Sequence, residues 1–258
     1  MGHPAMRHLF SSALVLFTFV TQSSALADEV TLVAPGGIRA AIEKMIPAFE
    51  QKTGHKVKAT FGSGLGTKRQ VAQGEPFDVP IVQPPYPEVL ASGHVVATSA
   101  TPLASVAVGV AVRPGQPKPD ISTPDAVKRM LLAAKSISYP DPAGGAAAGV
   151  SFTETLKTLG IAEQMKPRIK LAQGGAAAMA ALARGEVEIG LTFVSEIITE
   201  PGVEAVGPLP REISTPTSLV GFLSAHAKAP EAAKALLQYL SSPDAAVVYR
   251  ASGMQPGR

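Results

Sequence analysis

The amino-acid sequence predicts an α/β fold in which helices cover both faces of mixed, mostly parallel sheets. Short β-rich runs alternate with helical patterns along the chain after residue 28, and repeated strand–loop–helix units form parallel sheets. Several of these units have a glycine-rich loop between strand and helix. About 230 residues follow residue 27, which is enough for one large domain or for two lobes.

The first half of the chain contains three such units. In the first, the apolar run 30–34 ends at Gly36-Gly37, and the next stretch has apolar residues at the i, i+3, i+4, i+7 spacing of a helix. The predicted elements are, in order, strand 30–34, helix 38–52, strand 56–61, helix 65–72, strand 77–82 and helix 85–91.

The second half repeats the arrangement. Thr123 and Pro124 predict the start of a helix, because Thr is a good N-cap and Pro suits the first helical position. The predicted elements are strand 105–112, a helix from 123, strand 136–139, a helix ending near 158, strand 169–172, a helix from 174, strands 187–193, 203–206 and 218–223, and helices 230–240 and 244–251. We expect the tail 253–258 to be mobile.

The N-terminus has the pattern of a cleavable signal peptide over residues 1–27. Arg7 and His8 precede an apolar run at 9–20, and the sequence ALA at 25–27 stands directly before Asp28. The apolar run is shorter than the roughly 20 residues that span a membrane. The chain has no cysteine, which excludes a lipid anchor on cysteine and any disulfide. We therefore predict a mature protein free in the periplasm.

Charge and composition exclude several kinds of partner. Without residues 1–27 the chain has 22 basic and 20 acidic side chains, which are scattered along the sequence, so no nucleic-acid partner is predicted. No spacing of His, Asp and Glu indicates zinc or a two-metal site. We predict a monomer without metal or cofactor.

Four small-residue loops, at 35–37, 62–64, 143–149 and 173–175, open predicted helices. Free N–H groups at a helix N-terminus bind anions, and ligands of open α/β sheets lie at the carboxyl ends of strands. The sequence therefore predicts a cleft for a small anion. The candidate donors are the backbone amides of Gly36, Gly37, Ser63, Gly64, Ala148, Gly149, Gly174 and Gly175, with the Ser63 hydroxyl.

A set of short motifs resembles the molybdate-binding periplasmic proteins over about residues 29–250. The motifs are TLVA at 31–34, FEQKTG at 49–54, FGSG at 61–64, GEPFD at 74–78, DP at 141–142, Gly149, LKTLG at 156–160, RGE at 184–186, GLTF at 190–193 and the helix around 237–240. The resemblance implies a two-lobed type II periplasmic-binding-protein fold.

The same resemblance implies an altered ligand site. In that family hydroxyls and amides from the four loops hold an oxyanion, but two serines fall on Gly37 and Gly64 and a tyrosine falls on Phe193. Each hydrogen bond to a charged group contributes about 1.5–3 kcal/mol, so the lost hydroxyls disfavour molybdate. Cations near two of the loops favour an organic carboxylate instead. These cations are Arg39, Lys68 and Arg69.

An enzyme is the alternative to a binding protein. Aconitate isomerase, which moves a double bond in a tricarboxylate, is similar to the molybdate-binding proteins. Such a reaction needs a base near carbon and cations on the carboxylates. Candidates for the base are Lys68, Tyr86 and Glu196, and no spacing singles out one of them.

The resemblance also implies a domain organisation. Residues 28–107 and 217–258 are expected to form lobe 1, and residues 108–216 lobe 2. Two strand crossings, near residues 105–108 and 215–219, are expected to act as the hinge. A binding protein of this kind delivers its ligand to a membrane ABC transporter.

Overall fold

The computed structural model of the chain describes residues 27–257. The signal peptide predicted for residues 1–27 lies, apart from Ala27 itself, outside the described residues. No helix in the described part of the chain is both long and apolar enough to cross a membrane.

The chain alternates between strands and helices, as the sequence predicts. The strands are β1 (Glu29–Pro35), β2 (Lys56–Gly62), β3 (Val79–Val82), β4 (Thr101–Val106), β5 (Val108–Val112), β6 (Ile137–Pro140), β7 (Ile169–Ala172), β8 (Ile189–Phe193), β9 (Glu204–Pro208), β10 (Thr217–Gly221) and β11 (Gln255–Pro256). The helices are α1 (Arg39–Thr53), α2 (Gly64–Ala72), α3 (Pro87–Ala91), α4 (Pro124–Ala133), α5 (Ala147–Thr158), α6 (Ala162–Met165), α7 (Gly175–Ala183), α8 (Val194–Ile197), α9 (Pro230–Leu240) and α10 (Pro243–Ala251).

The strands form two sheets. The first has the order β11-β4-β10-β3-β1-β2 and the second the order β7-β6-β8-β5-β9. In the first sheet β1 is parallel to β2 and β3, while β10 runs antiparallel to β3 and β4. In the second, β6 is parallel to β7 and β8, while β5 runs antiparallel to β8 and β9. The predicted α/β class with two mixed sheets is confirmed. The expectation that the sheets are mostly parallel is wrong, because every pairing that involves β4, β5, β9, β10 or β11 is antiparallel.

The chain passes between the sheets at two points. The sequence predicts one strand at 105–112, but β4 pairs with β10 in the first sheet and β5 pairs with β8 in the second. Ala107 separates them. The run 106–112 has no polar residue that would separate the end of β4 from β5. A change of sheet therefore cannot be detected from the hydrophobicity of this run, which is why the single-strand prediction is wrong. The second passage lies between β9 and β10.

Helix packing follows the predicted periodicity. Helix α1 buries Ala41, Ile42, Met45 and Phe49 in the core, as its apolar spacing predicts. The Thr123 hydroxyl accepts a hydrogen bond of 3.1 Å from the Ala126 N–H, which confirms the predicted cap of α4.

The C-terminal tail is not free, contrary to the sequence prediction. Gln255 pairs with Ser105 and Pro256 with Ala104, so that β11 forms the edge of the first sheet. Met254 is 1% exposed and belongs to the core. A strand of two residues has no periodicity to detect, and its pairing depends on β4, which is far away in the sequence.

Candidate ligand-binding cleft

A cleft of about 700 Å³ lies between the carboxyl ends of the parallel strands of the two sheets. The ends of β1, β2 and β3 line one wall, and the ends of β6, β7 and β8 line the other. This is the edge at which open α/β sheets bind ligands. The loops that follow these six strands therefore all border the same cleft.

Helix N-termini open into this cleft from both walls. Gly64 begins α2, Ala147 begins α5 and Gly175 begins α7, and all three residues line the cleft. On the first-sheet wall, a short 3-10 turn from Gly36 leads into α1. No described side chain caps α5 or α7. Their first N–H groups and the helix dipoles make this space favourable for negative charge.

One cation faces four carboxylates in the cleft. Among the described lining residues, Arg39 is the one cationic side chain. Its guanidinium carbon lies 4.8 Å from the centroid of the Phe61 ring, and its Nη1 lies 3.9 Å from Oε1 of Glu43. The side chain is 54% exposed, so the guanidinium stacks on the wall and keeps donors free. The four acidic lining residues are Glu43, Asp141, Glu196 and Glu200.

Among the four acidic lining residues, Glu196 has a pKa that is shifted by its surroundings. The Thr192 hydroxyl donates a hydrogen bond of 2.5 Å to its Oε2. Burial raises the pKa of the Glu196 carboxyl above the ordinary 4.5, although Thr192, the Phe193 N–H and the charge of Arg39 oppose this shift. The cleft therefore contains a carboxyl group that holds its proton more firmly than an exposed glutamate does.

The Phe193 ring, at the end of β8, packs against Gly37 of the opposite wall. The Phe193 ring is 3% exposed, and a Cβ on Gly37 would lie 2.7 Å from its Cδ2. A side chain at position 37 would therefore displace the ring. At both positions the resemblance predicts the loss of a hydroxyl, and here the two residues pack against each other.

The structure brings together nine of the twelve predicted ligand-binding residues. Lining the cleft are Gly36, Gly37, Arg39, Ser63, Gly64, Ala148, Gly174, Gly175 and Phe193. The other three lie elsewhere. Lys68 Nζ donates a 2.8 Å hydrogen bond to the Pro85 carbonyl, Arg69 is on the exposed face of α2, and Gly149 packs against the Pro140 carbonyl.

Comparison with known proteins places the chain in a family. A family model described as bacterial extracellular solute-binding protein matches residues 30–255. The chain belongs to this family. It is 32% identical to aconitate isomerase of a Pseudomonas species, with 98% of this chain and 97% of that protein covered. It is 26% identical to the molybdate-binding protein ModA of Escherichia coli strain K12, with 95% and 96% covered.

A solved structure shares the two-lobed fold of this solute-binding protein. The periplasmic molybdate-binding protein of Azotobacter vinelandii superposes with a TM-score of 0.73 at 20% identity, covering 87% of this chain and 98% of that one. The predicted type II periplasmic-binding-protein fold is confirmed.

The three predicted candidates for a base separate clearly in this solute-binding protein. Glu196 lines the cleft, whereas Lys68 and Tyr86 are not among the described lining residues. The Tyr86 ring packs edge-on against Phe222, with centroids 5.4 Å apart. Among residues 27–257, no three His, Cys, Asp or Glu side chains group in a way that could hold a metal ion.

Sequence reasoning missed several polar lining residues of this solute-binding protein. Gln83 directly follows β3, Asp141 follows β6, and Gln173 follows β7, while Ser195 lies in α8, just after β8. Because ligands bind at the carboxyl ends of strands, the first polar residue after each predicted strand was a usable signal.

Proposed function

We propose that this chain is a periplasmic binding protein that captures a small organic di- or tricarboxylate in the cleft and presents it to a membrane ABC transporter. The observation that carries the proposal is the meeting of helix N-termini from both sheets at one cleft beside the guanidinium of Arg39. Aligned N–H groups and an arginine fork are matched to carboxylate oxygens.

The lining of the cleft supports a carboxylate over molybdate. Gly37 and Phe193, the two positions at which the resemblance implies hydroxyls, pack against each other and offer no side-chain donor. Arg39 adds a charge that can pair with a carboxylate in two hydrogen bonds.

The proposed lobes are residues 28–107 with 217–258, and residues 108–216. The chain passes between sheets at Ala107 and again between β9 and β10, and these passages form the proposed hinge. A ligand that contacts both walls stabilises the closed arrangement, because it gains contacts that an open cleft does not offer. The proposed transporter recognises that closed arrangement of a monomeric protein.

Export is part of the proposal. The basic, apolar and ALA segments of residues 1–27 are proposed to direct secretion, with cleavage before Asp28. N-terminal sequencing of the protein purified from a periplasmic fraction should begin at Asp28. A full-length protein retained in the cytoplasm would contradict this.

Isothermal titration calorimetry of the mature protein tests the ligand class. The titrants are cis- and trans-aconitate, citrate, succinate, sulfate, phosphate, molybdate and tungstate. We expect micromolar or tighter binding of at least one organic carboxylate and weaker binding of each inorganic oxyanion. Tighter binding of molybdate or tungstate would show that backbone amides suffice for an inorganic oxyanion, and the proposal would be abandoned.

A second candidate function is isomerisation of aconitate. Two observations favour it: the 32% identity to aconitate isomerase over 98% of this chain, and the carboxyl of Glu196 at the cleft wall. A base whose pKa is raised by burial is a stronger proton acceptor than an exposed carboxylate.

In this candidate reaction Glu196 removes a proton from the methylene carbon of aconitate. The electrons of that C–H bond form the new double bond, and the electrons of the old double bond take the proton back from Glu196 at the far carbon of the old double bond, which becomes the new methylene. Arg39 and the helix N-termini stabilise the negative charge that develops on the carboxylates. Nothing is oxidised or reduced, so the reaction requires no oxidant or reductant.

Proton NMR of cis-aconitate incubated with the protein in D₂O separates the two functions. An isomerase produces trans-aconitate, whereas a binding protein leaves the spectrum unchanged. Under the isomerase hypothesis, Glu196→Gln should bind aconitate and lower the rate at least about a hundredfold, in the range typical of losing a general base. A Glu196→Gln protein of unchanged rate would remove Glu196 as the base.

A further inference from the structure

Gln83 is a buried amide whose nitrogen has no partner within the protein. The side chain follows the end of β3 and lines the cleft, and the residue is 4% exposed. Its Nε2 is buried and makes no hydrogen bond to any described residue. A buried donor without an acceptor carries a free-energy penalty, so the amide gains free energy if its NH₂ group turns toward an acceptor in the cleft.

Gly64 makes room for this amide. A Cβ at position 64 would overlap Oε1 of Gln83, so the amide lies in the space that a side chain on Gly64 would fill. Half a turn about the last side-chain bond exchanges the oxygen and the nitrogen. In that orientation the NH₂ group lies beside the first residue of α2, at the wall of the cleft.

The first turn of α2 has few other donors to offer. The Leu65 N–H donates to the Gly145 carbonyl at 3.2 Å and the Gly66 N–H to the Ser63 hydroxyl at 3.1 Å. The Thr67 N–H donates to the Ser63 carbonyl at 2.9 Å. A ligand oxygen at this corner therefore depends on side-chain donors more than at the uncapped α5 and α7.

We propose that the side-chain amide of Gln83 donates a hydrogen bond to a carboxylate oxygen of the bound ligand and thereby determines which anions the cleft accepts. This inference rests on the proposed function, since it needs an organic carboxylate in the cleft. It adds a neutral donor on the first-sheet wall to the cationic donor at Arg39. Ligands without an oxygen at this corner leave the amide unpaired and bind weakly.

The test is calorimetry with trans-aconitate, or with the tightest carboxylate of the panel, on two variants at pH 7. Gln83→Met keeps the length of the side chain and removes the donor, and we expect affinity to fall at least about tenfold. Gln83→Glu replaces the donor with a negative charge of the same shape, and we expect a loss of at least about a hundredfold. Gln116→Met, on an exposed loop, is the matched control and should bind as the wild type does.

Gly64→Ala probes the same contact from the other side. Its Cβ should displace the amide and weaken binding, and Gly64→Ala combined with Gln83→Met should be no worse than the weaker-binding single variant. Additive losses would show that the two residues act separately and would overturn the contact.

A measurement on the wild-type protein tests the same contact without depending on whether the variants fold. In ¹⁵N-labelled wild type, the side-chain NH₂ resonances of Gln83 should shift on titration with the same carboxylate. Unshifted resonances, or folded Gln83 variants that bind as tightly as wild type, would overturn the inference and leave the proposed function standing. If the wild type binds no organic carboxylate, the proposed function itself fails and the inference falls with it.

Discussion

The Ser195 hydroxyl donates a hydrogen bond of 2.7 Å to the carbonyl oxygen of Gly37. Ser195 lies in α8, after β8 of the second sheet, and Gly37 lies after β1 of the first. The bond therefore joins the two walls of the cleft, and Ser195 is 2% exposed. A buried bond between the walls favours the arrangement in which both can touch one ligand.

Replacement of Ser195 by alanine should weaken ligand binding without unfolding the protein. The loss of one hydrogen bond costs about 1 kcal/mol. If this cost destabilises the closed form and leaves the open form unchanged, ligand affinity falls about fivefold. Calorimetry gives the affinity, and small-angle X-ray scattering of the ligand-free protein should show a larger radius of gyration. Unchanged affinity and radius would show that the bond does not control closure.

Ser63→Ala should weaken carboxylate binding about tenfold, which corresponds to about 1.4 kcal/mol. The Ser63 hydroxyl accepts from the Gly66 N–H at 3.1 Å, so its own proton is free for a ligand. Losing this cap should also cost about 1 kcal/mol of stability. Ser242→Ala is the control, because Ser242 caps α10 in the same way and is not a lining residue. It should lower the melting temperature and leave affinity intact.

Arg39→Ala should distinguish between ligand classes. Hydrogen bonds to a charged group contribute about 1.5–3 kcal/mol, so binding of a tricarboxylate should fall more than tenfold, while any binding of molybdate falls less. Calorimetry with both ligands on wild type and variant measures the difference, and Arg129→Ala on α4 serves as the control. An equal loss of affinity for the tricarboxylate and for molybdate would show that Arg39 does not select for a carboxylate.

Carboxylate affinity should depend on pH through Glu196. Burial raises its pKa above 4.5, so lowering the pH from 7 toward that raised pKa protonates the carboxyl and removes its repulsion of an anion. Affinity should rise as the pH falls, with protons taken up on binding. Glu196→Gln should bind more tightly than wild type at pH 7 and lose this dependence. An affinity that falls with decreasing pH would contradict this assignment.

The folding stability of the protein should depend on pH through Asp78. Its carboxylate accepts hydrogen bonds from the Thr31 N–H and hydroxyl at 2.8 and 2.6 Å and from the Lys228 N–H at 2.6 Å. Burial alone would raise the pKa of Asp78, but these bonds and one from the Ala229 N–H hold it below the ordinary 3.8. The stabilisation is complete above the unfolded pKa and is lost as the pH falls through the lower folded pKa.

The corresponding variant is Asp78→Asn. It should cost about 2–4 kcal/mol at pH 7 and lower the melting temperature by about 5–10 °C. The gap between the variant and wild type should narrow as the pH falls below 3.8. Glu163→Gln, on an exposed side chain of α6, should follow the wild-type curve. A gap that does not depend on pH would mean that the charge of Asp78 is irrelevant.

Local patterns were sufficient to predict most elements and part of the site. The burial of Ile42, Met45 and Phe49 follows from helical spacing within one segment. The glycine loops were found in the same way, because a strand, a small-residue loop and a helix are neighbours in sequence. The split of 105–112 at Ala107 could not be predicted, since no polar residue interrupts the run 106–112.

The sequence by itself determined the alternation of strands and helices and the loops that open the helices at the cleft, because these depend on residues a few positions apart. Only the tertiary structure decided which side chains fill that cleft. In that structure Lys68 donates a hydrogen bond to the Pro85 carbonyl. Gln83 packs against Gly64, and Ser195 donates a hydrogen bond to the Gly37 carbonyl. Such pairs are set by how two sheets and their helices pack, and that packing is the sum of contacts between residues far apart in the chain.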